Sequence, residues 1–138
     1  VFDGEPMIQG DIGLQERRLV PLSVMGDGVV RLAHLILAIG SAPGGCVFVD
    51  DIDTGLHHSV FESFWESVFI AANAFDVQVI ATTHSDECVK GALGVAKKNS
   101  RSGELALIRM ERQDKEIKAF TYDADDLEAA FKTGLEVR

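Results

Sequence analysis

The sequence has little cysteine: Cys46 and Cys88 are the only two in 138 residues. Two cysteines cannot build a disulfide scaffold. Both stand among apolar neighbours, so we expect small core residues in a reducing compartment. Basic charge is also scarce. Thirteen Lys and Arg face twenty-two Asp and Glu, a formal net charge of −9, which argues against the basic footprint of a nucleic-acid surface. No apolar run is long enough to span a bilayer. The longest, 29–39, is interrupted by Arg31 and His34, so no membrane partner is expected. The opening residues VFDGEPMIQG lack the basic and apolar regions of a secretory signal, which points to a cytoplasmic location.

What is present is ordinary globular composition, 46% hydrophobic and 25% charged. The length suits one domain or a piece of one. Because the first residue is Val rather than Met, we expect a fragment or a processed product. The acidity is uneven. Residues 1–69 hold three basic and ten acidic side chains, and the remainder ten and twelve. An acidic first half suits a cation site.

Loose alternation at Met7, Ile8, Ile12, Leu14, Leu19, Val20 and Leu22, with Gly4, Gly10 and Gly13, predicts short strands and turns. A glycine-rich turn at 23–28 precedes a buried helix over 29–39, apolar almost all round. Residues 46–50 form a continuous apolar run ending in an acid, the pattern of a buried parallel strand. After a loop at 52–56, apolar residues at 60, 61, 64, 65, 68, 69 and 72 predict an amphipathic helix over 57–75. A second buried strand, 77–82, is followed by a helix that Ser85 caps, with Asp86 and Glu87 in its first turn. Strand, helix and strand together make a right-handed βαβ unit. Strands 105–111 and 117–122 predict an antiparallel hairpin. A last helix, 125–132, starts with the capping pair Asp125 and Glu128 and stops at Gly134.

Ligands of parallel α/β sheets bind outside the carboxyl ends of the strands. One such end carries Asp50 and Asp51. Its neighbour carries Thr82-Thr83-His84-Ser85. Adjacent carboxylates repel unless a cation lies near, so an acid pair and a histidine at one sheet edge suit a magnesium-dependent phosphate-hydrolysing site. The plainer reading is that Asp50, Asp51 and Asp53 are solvated turn residues capping the following helix.

The run Cys46-Val-Phe-Val-Asp-Asp51, then Thr54-Gly-Leu-His57, a long helix, and Val77-Gln-Val-Ile-Ala-Thr-Thr-His-Ser85 resembles the C-terminal lobe of an ABC-type ATPase. The likeness is closest to the SMC/RecF/OLD-like, AAA-type predicted ATPases, covers about 20–90 well, and extends less specifically to the hairpin and last helix. It implies an α/β, P-loop NTPase-like head with a parallel βαβ core. Residues 1–138 would then be one partial domain, the C-terminal half of a head, with Walker B and switch histidine within 46–85.

The resemblance also implies roles. Asp50 would hold Mg²⁺, and Asp51 would act as general base, though the family usually has Glu there. His84 would hydrogen-bond the γ-phosphate of ATP. Thr54, Gly55, Leu56 and His57 fall where the D-loop meets a second head. Gly26 and Gly28, ahead of the helix, match the signature region, where glycine backbone and helix dipole favour a phosphate. No Leu-Ser-Gly-Gly stands there, and Gly26 takes the serine position. Asp27 would have to point away from the phosphate, while Arg31 would add charge or pair with an acid. A glycine-rich turn that merely caps a core helix is the simpler alternative.

No G-x-x-x-x-G-K-[ST] loop occurs in the sequence. The resemblance therefore implies an N-terminal Walker A lobe in an intact parent, with ATP sandwiched between two heads, a homodimer. Two rival readings are a catalytically degenerate interaction module and the ATPase component of a nuclease-coupled DNA repair or phage-defence system, with DNA contacted through other domains. His57-His58 as a zinc site, Asp123-Ala-Asp125 as a nuclease pair and Lys97, Lys98 and Arg101 as a DNA contact are weaker readings. Capping and a solvated loop explain the latter two. Trp65 and the phenylalanines of its helix read as core, and Gln78 as buried mid-strand without a role. No nucleophile-elbow motif supports a Ser-His-Asp site.

Overall fold

The computed structural model describes residues 8–11, 13 and 19–134. The expected positions Gly4, Met7, Ile12 and Leu14 lie outside them. Two short strands, β1 (Gln9–Asp11) and β2 (Leu19–Pro21), pair antiparallel. A 3-10 turn, Leu22–Val24, leads into α1 (Asp27–Gly40). Then come β3 (Cys46–Val49), a 3-10 turn at His58–Val60, α2 (Phe61–Phe75) and β4 (Gln78–Ala81). The chain continues with α3 (Asp86–Lys98), the hairpin β5 (Leu107–Gln113) and β6 (Glu116–Tyr122), and α4 (Ala124–Lys132).

β3 and β4 pair in parallel, with Cys46 opposite Gln78 and Val49 opposite Ala81. The βαβ unit expected from the sequence is thus present. Its apolar residues lie against α1 and α2. Leu35, Ile39, Phe61, Phe64 and Val68 are buried there, with Val47, Val49, Val79 and Ala81 packed on them. A second cluster joins Val89 and Leu93 of α3 to Ala124, Leu127 and Ala130 of α4. Ser85 caps α3 as expected, accepting from the Cys88 amide at 3.2 Å.

Several expectations are corrected. The strands are covered on one face only. Phe48 is 76% exposed, and Ile80, its register partner, is exposed too. Gln78 opens β4 as an exposed residue rather than lying buried mid-strand, and Cys46 is exposed while Cys88 is buried. α1 begins two residues before the expected Val29 and is not buried all round: Val29 and Leu37 are exposed because the helix packs on α2 by one side. The helix over 57–75 divides into a 3-10 turn and α2, since His57 caps the turn through its ring. The hairpin closes through Asp114 and Lys115 alone, Gln113 standing opposite Glu116. The cap of α4 is Asp123, in a capping box with Asp126, rather than the Asp125–Glu128 pair.

The basic cluster is ion-paired rather than a solvated loop. Lys97 pairs with Glu128, Lys98 lies 3.7 Å from Glu62 and 3.8 Å from Glu66, and Arg101 lies 3.6 Å from Glu104.

A groove of about 780 Å³ separates β4 from β5, walled by Val79, Ala81, Leu107 and Ile108 and floored by Trp65 and Val89. Gln78 and Thr82 donate their amides to Gly45 and Val49 of the β3 segment, both at 2.9 Å. By the alternation of a parallel ladder, the backbone groups of Val79 and Ala81 point the other way, into the groove.

Glu128 is held by Lys97 and by Lys132, the latter at 2.9 Å. The lysine hydrogen bonds bring its carboxyl down from the ordinary 4.5 to about 2. These pairs need the ionised carboxylate. Their stabilisation is full above pH 4.5 and is lost as pH falls through 2. Glu128→Gln should therefore flatten the loss of urea stability between those pH values, and 1 M salt should shrink the difference because the pair is solvent-exposed.

Candidate functional site

The parallel register sets the exits of β3 and β4 side by side. From β3 emerge Asp50 and Asp51, both exposed; from β4 emerge Thr82, Thr83 and His84, the histidine exposed. The backbone ties the two exits together. Thr82 donates its amide to the Val49 carbonyl, and Ile52 donates its own to the Thr82 carbonyl, each at 2.9 Å.

The side chains complete the tie. The Thr82 hydroxyl donates to Asp50 Oδ1 at 2.5 Å and accepts from the Asp51 amide at 2.8 Å. The Thr83 hydroxyl donates to Asp53 Oδ1 at 2.5 Å and accepts from the Ser85 amide at 3.0 Å. Asp51 has φ of 47°, in the left-handed region that aspartate adopts more readily than most non-glycine residues. Sequence reasoning gave the threonines no role. Their signal was position: each follows a strand whose partner ends in an acid, at the matching register.

The turn from Asp51 to His57 closes on itself. Thr54 donates its amide to the Asp51 carbonyl at 3.0 Å and Leu56 to Asp53 at 3.1 Å. Gly55 has φ of 76°. His57 accepts from the Ser59 amide at 3.3 Å, and its ring centroid lies 4.1 Å from that of His58.

Gly26, with φ of 91°, stands at the head of α1 and offers no side-chain cap. Gly28 faces the 53–56 turn: a Cβ there would come within 3.0 Å of Leu56 Cδ2. The glycine turn and the Thr54–His57 segment are therefore neighbours. Among the described residues Arg31 makes no ion pair with an acid. Its Nη2 donates to the carbonyls of Asp50, at 3.1 Å, and Asp51, at 2.6 Å.

Asp50 commits one carboxylate oxygen to Thr82, leaving the other for a ligand. Oxygen donors of this kind suit a hard cation such as Mg²⁺, which needs only one or two protein carboxylates when phosphates and water fill the rest of its shell. Among the described residues no group of three His, Cys, Asp or Glu could hold a metal by itself. Below the site Cys88 is a core residue, and burial pushes its thiol above the ordinary 9.0. Trp65 donates its indole N–H to the Cys88 carbonyl at 3.0 Å.

The family described as "AAA domain, putative AbiEii toxin, Type IV TA system" matches residues 6–89. A Helicobacter pylori protein named ATP/GTP phosphatase is 28% identical over 116 residues, 82% of this chain and 31% of that protein. The chain thus spans about a third of the length of the curated relative it matches. A solved chain from work on ATP-driven dimerization and DNA stimulated activation of SMC ATPases superposes with a TM-score of 0.54 at 16% identity, over 84% of this chain and 65% of that one. The shared fold is the one expected from the sequence, a P-loop NTPase-like α/β lobe around a parallel strand pair. No helix among the described residues is long and apolar enough to cross a membrane.

Thr82→Val removes the one hydroxyl that bridges Asp50 and the Asp51 amide. Loss of these solvent-accessible bonds should cost about 1 kcal/mol in urea denaturation, with Thr82→Ser retaining most of it.

Proposed function

Because the chain belongs to the AAA domain family matched over residues 6–89, we propose that it forms the C-terminal part of an ATP-binding, ATP-hydrolysing ABC-type head. The observation that carries this reading is the in-register pair of strand ends, which holds Asp50, Asp51, Thr82 and His84 at one edge. Catalysis of phosphoryl transfer is largely positioning and charge stabilisation, and that edge is built for positioning. Residues 1–138 are then one partial domain.

In this reading Asp50 holds Mg²⁺, and the ion supplies charge neutralisation on the phosphates. Asp51 orients the attacking water and takes its proton. His84 donates to the γ-phosphate. The backbone of Gly26 and Gly28, at the positive end of α1, receives the phosphates bound by a second head. Thr54, Gly55, Leu56 and His57 meet that head, and hydrolysis switches the pair between closed and open arrangements. The intact protein works in the cytoplasm, where ATP is plentiful.

The cradle for the β- and γ-phosphates comes from an N-terminal Walker A lobe. Two observations support this. The relative is about three times as long as the stretch matched, and β4, which pairs only with β3 among the described residues, borders a groove with its other edge. An added strand would satisfy the backbone of Val79 and Ala81 and cover their apolar neighbours.

A degenerate interaction module remains the alternative, favoured by Asp51 standing where the resembling ATPases usually carry the longer Glu. In the full-length protein we expect Mg²⁺-dependent ATP turnover that falls by ~10²-fold or more in Asp51→Asn while ATP binding persists. The 138-residue chain alone should show no turnover above background. Undiminished turnover in full-length Asp50→Ala would favour the interaction module instead.

A further inference from the structure

Arg31 projects from the second turn of α1 and spends Nη2 on two successive backbone carbonyls, those of Asp50 and Asp51. A guanidinium is always charged and presents its donors in a rigid fork. Bonds from it to a carbonyl are stronger than neutral ones. The carbonyl of Asp51 also accepts from the Thr54 amide at 3.0 Å. Two donors therefore fix one peptide, next to a residue held at a left-handed φ of 47°.

The same helix comes close to the same turn near its first residues. Gly28 lies against Leu56, and a Cβ on Gly55 would stand 3.9 Å from Asp27 Cβ. The Arg31 hydrogen bonds and the close approach of Gly28 to Leu56 thus join the first two turns of α1 to residues 50–56. Among the described residues, the polar and directed part of this joint is the pair of hydrogen bonds from Arg31.

We propose that Arg31 is a positioning residue, which locks the acid-bearing turn to α1 so that the glycine turn at the head of that helix and the Asp50–Asp51 pair move as one body. Its consequence for hydrolysis rests on the function proposed above. There the head of α1 answers to the nucleotide of the second head, while Asp51 serves the nucleotide of its own. Arg31 then joins two half-sites that bind different nucleotides. A displacement of α1 on head closure is passed to Asp51 through two hydrogen bonds rather than lost in a loose turn.

The test uses the full-length protein with Arg31→Ala and Arg31→Lys. The first readout is amide hydrogen exchange over residues 50–56, which needs no turnover. Exchange should quicken by about tenfold in Arg31→Ala, recover at least in part in Arg31→Lys, and stay unchanged in α2. The second is steady-state ATP hydrolysis, where kcat should fall about tenfold with KM within about threefold, again with recovery in the lysine variant. Unchanged exchange in Arg31→Ala overturns the positioning role. Faster exchange with undiminished kcat overturns the link to hydrolysis. A parent protein that shows the exchange effect but never hydrolyses ATP upholds the positioning role and overturns the proposed function instead. If Arg31→Ala fails to fold, Arg31→Gln, which keeps most of the stem and loses the charge and the fork, decides: faster exchange over 50–56 with lowered kcat supports the proposal, and unchanged exchange or undiminished kcat overturns it.

Discussion

The parallel pairing of Cys46–Val49 with Gln78–Ala81 is the constraint from which the site follows. A shift of one residue would turn every side chain of a strand to the other face. It would also carry Thr82 away from Asp50. In the register present, Thr82 binds the Val49 carbonyl by its amide, Asp50 by its hydroxyl, and the amides of Asp51 and Ile52 by its oxygens. One residue thereby fixes the end of one strand and the turn that follows the other.

The register holds because one face of the pair is buried. Val47, Val49, Val79 and Ala81 pack on the core of α1 and α2. The opposite face, with Phe48 and Ile80, is open, and so is the β4 edge along the groove to β5. Such surfaces are unstable exposures for a sheet. The N-terminal lobe proposed above would cover them, and the chain spans about a third of the length of the curated relative it matches.

Much of the fold was legible. Periodicity gave α2, glycine and proline marked the breaks, and Ser85 followed by two acids announced α3. The acid pair and the Thr-Thr-His-Ser run could be read as opposing strand ends because both followed short apolar runs joined by one helix. Burial was less legible. Phe48 and Gln78 were read as interior residues, but a run of apolar residues reports what a strand needs, and not which faces this chain alone can cover. The cap of α4 moved two residues toward the N-terminus because Asp123, not Asp125, has the extended backbone that lets a side chain reach the N3 amide.

By itself the sequence determined the local chemistry: which residues are acids, where helices begin, and which strands end in groups able to meet a phosphate or a cation. These are properties of neighbours along the chain, carried by spacing and conformational preference. Only the tertiary structure decided that Arg31 binds the carbonyls of Asp50 and Asp51 rather than a carboxylate, that Thr82 and Thr83 bridge to Asp50 and Asp53, and that Gly28 lies against Leu56. Those contacts join residues about twenty to thirty positions apart. Their existence depends on strand register and helix docking, which are set by the burial of the whole core and leave no mark in any short stretch of sequence.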